Sequence, residues 1–303
     1  MTIEKILFDI KIKKPKRVIL DTDTYNEMDD QFALAYALGC DTFSLVSVNA
    51  APFHNDRCSD FRDGMLKSYD EIHRVLEKCG KLGTLPVMRG SEERIGSYDD
   101  PLPEDSPAAR YIVGAALESK EPLYILATGA ITNVVSVILT EPSIKDKICV
   151  IWLGTNHFDY GNQNEFNLVQ DVAAARLLLD LEVPLVLLPA LGDNCLGTKE
   201  LLVKKEELSL IKGDGECQKF FREELPGEFG AKDDPHWKRI IWDLAAPALL
   251  SVPEAFNLDI IPAPVLTKDK ALKKEAARHR IIYMSSLDKN AIIKDAFEKI
   301  SSL

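Results

Sequence analysis

The chain has 303 residues, 46% hydrophobic and 28% charged, which is ordinary globular composition and enough for one large α/β domain or two small ones. A net charge of −11 argues against a nucleic-acid surface, which needs a basic face, but leaves room for a cation site. No stretch reaches the roughly 18 apolar residues that span a membrane, and the six cysteines (Cys40, Cys58, Cys79, Cys149, Cys195, Cys217) form no short Cys-x-x-Cys pair, so they read as reduced thiols of a cytoplasmic protein.

The opening MTIEKILFDIKIKKPKR has no apolar run of signal-peptide length. Strand and helix patterns then alternate. RVIL before Asp21 reads as a buried strand and DDQFALAYALG as a helix; FSLVSVNA (43–50) is the next strand, and SDFRDGMLKSYDEIHRVLEKCG and SPAARYIVGAALES are helices. LYILAT (123–128), ICVIWLG (148–154) and VPLVLLP (183–189) are further strands, separated by the helical patterns ITNVVSVILTEP and DVAAARLLLDL. These strands lack a polar face, which predicts an α/β fold with a mostly parallel central sheet flanked by helices on both sides.

After residue 190 the pattern loosens. KKEELSLIKGDGECQKFFREEL reads as a surface helical hairpin, part of a mostly helical insertion around 199–236. A polar loop then runs into an apolar helix; NLDIIPAPVL and RHRIIYMSSL look like late strands and KNAIIKDAFEKISS like a closing helix. No Pro/Gly/Ser linker divides these parts, so the chain is expected to be a single domain over 1–303. In open α/β sheets ligands bind beyond the carboxyl ends of the strands. Asp21 to Asp30, Asn49 to Asn55, Thr128, and Gly154 to Asn167 all follow strand candidates and should converge on one edge.

The densest chemistry lies in DTDTYNEMDD, where Asp21, Asp23, Glu27, Asp29 and Asp30 fall within ten residues. Helix capping and the helix dipole account for Asp29 and Asp30 but not for Asp21 and Asp23 at the end of a buried strand. Carboxylates held close together ionise cheaply only if a cation or protons neutralise them. A hard divalent ion such as calcium, which takes roughly six to eight oxygen ligands including backbone carbonyls, meets that need. ATGAITN (127–133) offers a turn whose carbonyl can point inward, DYGNQNEFN (159–167) offers Asn162, Asn164, Glu165 and Asn167, and IIWDLAAPALL holds Asp243 at an otherwise apolar helix start. Asp243 is read either as an N-cap or as a buried member of the acidic site.

These segments resemble the nucleoside hydrolases, the purine/pyrimidine N-ribohydrolases. VILDTDTYNEMDDQFAL is similar to their Asp-x-Asp-Pro-Gly-x-Asp-Asp signature, ATGAITN to their Thr-Gly-x-x-Thr-Asn turn, NEFN to their Glu-Phe-Asn segment and WD to their late His-Asp or Trp-Asp pair, all in family order. The resemblance implies the family's Rossmann-like open sheet and a calcium ion held by Asp23, Asp30, the backbone carbonyl of Thr128 and Asp243. It implies that Asp23 is also the base that deprotonates the attacking water, with Asn55 near that water. It gives Asp29, Asn167 and Asp243 to the ribose 2′ and 3′ hydroxyls, Glu165 and Asn162 to the sugar's 5′ side, and Asp21 a supporting place behind the ligands. The implied partner is a nucleoside or other N-riboside, and the implied assembly a homodimer or homotetramer.

The sequence departs from the family pattern in three places. TYNEM between Asp23 and Asp29 is two residues longer than the family's spacing; the segment from Gly154 to Glu165 is shorter; and Trp242 stands where many pyrimidine-tolerant members carry a proton-donating histidine. An indole N–H is a hydrogen-bond donor and not a useful acid. Trp242 can stack on a base, worth ~1–3 kcal/mol in nucleic-acid sites, which with the Trp-Asp resemblance points to purines; plain core packing is the other reading. Of the five histidines, His54, His157 and His236 fall near expected loops of the site, while His73 and His279 sit in solvated patterns; Tyr25 is a further pocket candidate.

Three functions stay open on sequence alone: a calcium-dependent nucleoside hydrolase, a metal-dependent phosphohydrolase, and a calcium-containing nucleoside- or sugar-binding protein without turnover. Asp-x-Asp after a strand also begins phosphoaspartyl enzymes, but TGAITN, NEFN and WD fit them poorly.

Overall fold

An apolar strand with no polar face is stable only when both faces are covered. The structure, a computed structural model describing residues 2–12, 14–193 and 197–303, shows that arrangement. In chain order its first half comprises α1 (Ile3–Lys11), β1 (Lys16–Thr22), α2 (Asp29–Gly39), β2 (Phe43–Ala50), α3 (Phe61–Lys78), β3 (Val87–Arg89), α4 (Pro107–Glu118), β4 (Leu123–Ala127) and α5 (Thr132–Thr140). Next come β5 (Ile148–Leu153), α6 (Phe166–Gln170), α7 (Val172–Asp180), β6 (Leu185–Leu188), β7 (Leu202–Lys204), α8 (Glu216–Lys219) and α9 (Leu225–Glu228). The chain closes with β8 (Lys238–Ile240), α10 (Ala245–Ser251), β9 (Phe256–Pro262), β10 (Val265–Leu266), β11 (Leu272–Lys273), β12 (Arg280–Leu287) and α11 (Lys289–Ser301).

Eight strands form one sheet in the order β3-β2-β1-β4-β5-β6-β12-β9, and only β9 runs against its neighbour. Alternate side chains of each central strand enter opposite cores. Val18, Leu20, Tyr124, Leu126, Ile151 and Val186 pack with α1, α2, α3, α10 and α11 on one face. Ile19, Leu123, Ile125, Val150, Trp152 and Leu187 pack with α4, α5 and α7 on the other. Each fully buried aliphatic or aromatic side chain contributes about 1.5–3 kcal/mol, so the double-sided pattern that marks these strands in the sequence also holds the layers together.

The chain steps outward from β1 through β2 to β3, then returns to lay β4 on the other side of β1. This reversal opens a crevice at the carboxyl ends of β1 and β4. Asp21 is the penultimate residue of β1 and Thr128 follows β4, so the topology alone brings both to the crevice.

Two regions differ from the expected pattern. The segment expected as a surface hairpin is a 3-10 helix (Lys205–Leu210) followed by α8, a π turn and α9, and it is not superficial. Phe220, Phe221 and Leu225 are fully buried, and the Phe221 ring meets Phe32 of α2 edge-on with centroids 4.9 Å apart. Its many charges lie on the outer side, as where Lys78 pairs with Glu216 and Glu224. The N-terminal stretch is helical, burying Ile3, Ile6 and Ile10 at helical spacing beneath a Thr2 cap. Cys40, Cys58, Cys79, Cys149 and Cys217 are free thiols, and Cys195 lies outside the described residues. Among the described residues, no helix is long and apolar enough to cross a membrane.

Candidate active site

Beyond Asp21 the β1 ladder continues into the loops. Thr128 N–H donates to the Asp21 carbonyl at 2.9 Å, and Ala51 N–H to the Thr22 carbonyl at 2.8 Å. The chain then turns through 23–28 into α2, whose N-cap, Met28, makes no side-chain cap bond. Asp29 and Asp30 instead occupy the first turn, where the helix dipole favours negative charge. Asp30 Oδ1 accepts from the Thr22 hydroxyl and, at 3.0 Å, from the Thr128 hydroxyl. Asp243 arrives from the far end of the chain in a 3-10 turn (Trp242–Leu244) ahead of α10, and it caps no helix.

These acids converge. Ligand oxygens of Asp29, Asp30 and Asp243 lie within 4.8 Å of one another, and the carboxyl groups of Asp23 and Asp243 both meet that of Asp30. All four are buried, and burial pushes each carboxyl above its ordinary range. For Asp23, Asp29 and Asp243 the charges of neighbouring carboxylates push in the same direction, whereas for Asp30 the two threonine hydroxyls oppose it. Four buried acids on one centre need protons or a cation. The residues fit a hard divalent ion: the donors are all oxygen, and Asp23 Oδ2 is buried with no hydrogen-bond partner.

The surrounding shell holds these oxygens in place. Asn133 Nδ2 donates to Asp21 Oδ2 at 3.0 Å while its Oδ1 accepts from Ser91 N–H at 2.7 Å. Burial pushes the Asp21 carboxyl up to about 7, with the Asn133 bond pulling the other way, which suits a residue set behind the cluster. Gly129 lets the turn after β4 approach Asp23: a Cβ at 129 would lie 2.9 Å from Ala51 Cβ and 3.2 Å from Asp23 Cβ. The Asn167 amide spans the Thr128 and Leu153 carbonyls.

A cavity of about 300 Å³ opens over the cluster, lined among others by Asp23, Asp29, Asn55, Thr128, Glu165 and Asn167, with Trp242 and Asp243 at its side. Asp30 lies just behind, fully buried. Glu165 caps α6, accepting from Asn167 N–H (2.9 Å), Leu168 N–H (2.8 Å) and Thr155 N–H (3.2 Å). Burial nevertheless raises its carboxyl to about 7. Asn55 donates to Asn26 Oδ1 at 2.7 Å.

Asn162 is not brought into this cavity. Its carbonyl accepts from Asn156 Nδ2 at 2.7 Å and its side chain accepts from Asn164 N–H at 2.8 Å, so it shapes a turn while Asn156 and Asn164 line the cavity. Thr155, in the left-handed region with φ of 67°, folds this loop back. Asn26 and Glu27, both in the longer TYNEM loop, also line the cavity; the sequence marks Glu27 as one of the clustered acids and Tyr25 as a pocket candidate, but gives no sign of Asn26. Tyr25 instead stacks under Arg57.

No histidine lines the cavity among the described residues. His157 pairs with Asp159 at 2.6 Å and lies against Tyr283. His73 meets the Tyr69 carbonyl, His54 and His236 are exposed, and burial lowers the pKa of His279, which is remote from the site.

The profile of the family described as inosine-uridine preferring nucleoside hydrolase matches residues 18–282. No curated protein matches the sequence. Solved structures share the fold. A plant nucleoside hydrolase aligns at a TM-score of 0.75 with 16% identity, covering 95% of this chain and 100% of the other. A purine-preferring ribonucleoside hydrolase from Gardnerella vaginalis aligns at 0.72 with 18% identity, covering 95% and 98%. The inosine-uridine preferring nucleoside hydrolase from Bacillus anthracis aligns at 0.69 with 14% identity, covering 96% and 100%. With the profile spanning most of the sequence, the chain belongs to the nucleoside hydrolase family and is a hydrolase acting on N-glycosyl compounds.

Proposed function

We propose that the chain hydrolyses the N-glycosidic bond of ribonucleosides, purines in preference, releasing ribose and free base with the help of calcium. The convergence of Asp29, Asp30 and Asp243 on one buried centre under the cavity, with the Asp23 carboxyl against that of Asp30, carries this reading. Asp23, Asp30, Asp243 and the Thr128 carbonyl would hold the ion. Bound there, a divalent cation supplies a lower pKa for water and a positive charge that orients a diol.

The protein's own groups do the rest. Asp23 takes the proton of the attacking water at Oδ2, the oxygen without another partner. Asp29, Asn167 and Asp243 grip the 2′ and 3′ hydroxyls, and Glu165, helped by Asn156 and Asn164, faces the 5′ side. Positive charge builds on the ribose ring as the bond to the base breaks, and the carboxylates beneath it stabilise that charge. Trp242, half-buried at the cavity wall, stacks on the departing base.

A panel of purine and pyrimidine ribonucleosides, assayed for reducing sugar with calcium or with chelator, tests this. Sugar release that needs calcium and favours purines is expected. Release of phosphate from phosphomonoesters, or nucleoside binding without product, would favour the other readings.

A further inference from the structure

Beside the cavity lies a second pocket of about 240 Å³ that shares Asn26, Glu27 and Asn55 with it and continues past Asp56 to Arg57, Phe229 and Arg239. Two guanidinium groups converge here on one ring. Arg57 stands 4.4 Å from the centroid of Tyr25 and 5.0 Å from that of Phe229, and Arg239 lies 5.9 Å from the Phe229 centroid. The aromatic faces hold the Arg57 guanidinium in place without using its N–H donors. Among the described residues neither guanidinium makes an ion pair or a hydrogen bond, although Glu27 and Asp56 line the same pocket. In a chain of net charge −11, two arginines with free forks beside the reaction site are a built anion receptor.

The sheet order says which end of a substrate reaches them. Asn55 follows β2, whereas Asn156 and Glu165 follow β5, and β1 and β4 lie between. A ribose gripped over β1 and β4 with its 5′ side toward Glu165 turns its base away from β5. Arg239 also precedes Trp242, the proposed base platform, by three residues. We infer that the second pocket is a subsite for an anionic substituent on the leaving base, with Arg57 and Arg239 donating charge-assisted hydrogen bonds to a carboxylate. The inference rests on the N-ribohydrolase reading and adds to it a substrate class, N-ribosides of acidic bases.

The test compares two ribosides of similar shape that differ in one substituent, an anionic carboxylate against a neutral carboxamide, those of pyridine-3-carboxylate and pyridine-3-carboxamide, on the calcium-loaded protein. The carboxylate should be preferred by about tenfold in kcat/KM, equivalent to ~1.4 kcal/mol and expressed mainly in KM. Arg57→Gln with Arg239→Gln should bring the ratio near one, and Arg239→Gln alone, at a half-buried site on a short strand, should lower it if the double variant does not fold. Equal handling of the pair by the native protein overturns the inference. So does an arginine-dependent preference for a nucleoside 5′-monophosphate over its nucleoside, which would place the anion at the sugar's end. If no riboside or nucleoside is cleaved, the N-ribohydrolase reading fails separately. Calorimetry with the two free bases then decides the subsite: tighter, arginine-dependent binding of the carboxylate supports it, and equal binding overturns it.

Discussion

The side-chain amide of Asn167 donates to the backbone carbonyl of Thr128 at 2.9 Å and, from the same nitrogen, to that of Leu153 at 2.9 Å. One residue at the start of α6 thus sets the direction of a carbonyl at the end of β4. Replacing it with leucine, similar in volume, leaves both buried carbonyls without this donor, at about 1–3 kcal/mol for each group left unsatisfied. The Asn167→Leu protein should melt earlier in chelator and need more calcium to recover, because the Thr128 oxygen is no longer aimed. Thermal melts across a calcium titration check this; an unchanged calcium midpoint would remove Thr128 from the proposed ligand set.

Asp23→Asn removes the proposed base. Turnover of a purine nucleoside should fall by at least about 10²–10⁴-fold, the usual range for general-base help. In chelator the variant should be as stable as the parent or more so, since one of several mutually repelling buried carboxyls is gone. Steady-state rates and melts separate loss of chemistry from loss of fold, and parental turnover would refute the role.

Trp242→Ala should weaken purine substrates by ~1–3 kcal/mol in kcat/KM, the worth of one stacked base. A ribose analogue without a base should bind as before. Equal losses for both ligands in an inhibition assay would make Trp242 a packing residue.

The buried acids also fix the pH dependence of the metal-free protein. Burial raises the carboxyls of Asp21 and Glu165 from 3.8 and 4.5 to about 7, and shifts those of Asp23, Asp29, Asp30 and Asp243 the same way. Between these values Asp21 and Glu165 hold protons in the folded chain that the unfolded chain has released, so the stability they contribute falls as pH rises through that window and levels off above it. In chelator Asp21 and Glu165 should lower the melting temperature from about pH 4 to about pH 7, and the shifts of Asp23, Asp29, Asp30 and Asp243 act in the same direction. Calcium at one hundred times its dissociation constant should return about 2.7 kcal/mol at neutral pH. Comparing Asp21→Asn with the parent isolates one group: the variant should lose less stability across the window. A parent whose calcium-free stability fell no more steeply than the variant's would contradict the burial argument for Asp21.

The central strands were legible because both faces are buried: FSLVSVNA maps residue for residue onto β2, and DDQFALAYALG onto α2. Pattern could not show β3, a three-residue edge strand only partly covered. It did contain α1, whose Ile3, Ile6 and Ile10 repeat at helical spacing, but a short N-terminal stretch rich in lysine masks that stripe. The charges of KKEELSLIKGDGECQKFFREEL hid the stripe that buries Phe220 and Phe221.

The acidic centre was legible from residue type, since carboxylates after a buried strand need a counter-charge. The cavity wall was not. Whether Asn156, Asn162 or Asn164 faces inward depends on a left-handed turn at Thr155, a conformation unusual for a β-branched residue and unmarked by any glycine. Asn26 and Glu27 come from the insertion, where no family position guided the reading.

Asp23 lies on the first strand-loop of the sheet, whereas Asp243 belongs to the last quarter of the chain, which also supplies β12 and β9. On the ribosome, the early acids therefore emerge long before the residue that completes their ring. Any nascent fragment ending short of residue 243 has no closed receptor, whatever helices and strands it has gained. With the proposed ion site, ion-dependent resistance to a protease would consequently report only chains extended past Asp243, and the ion would serve as a clasp fastened late rather than a seed around which folding begins.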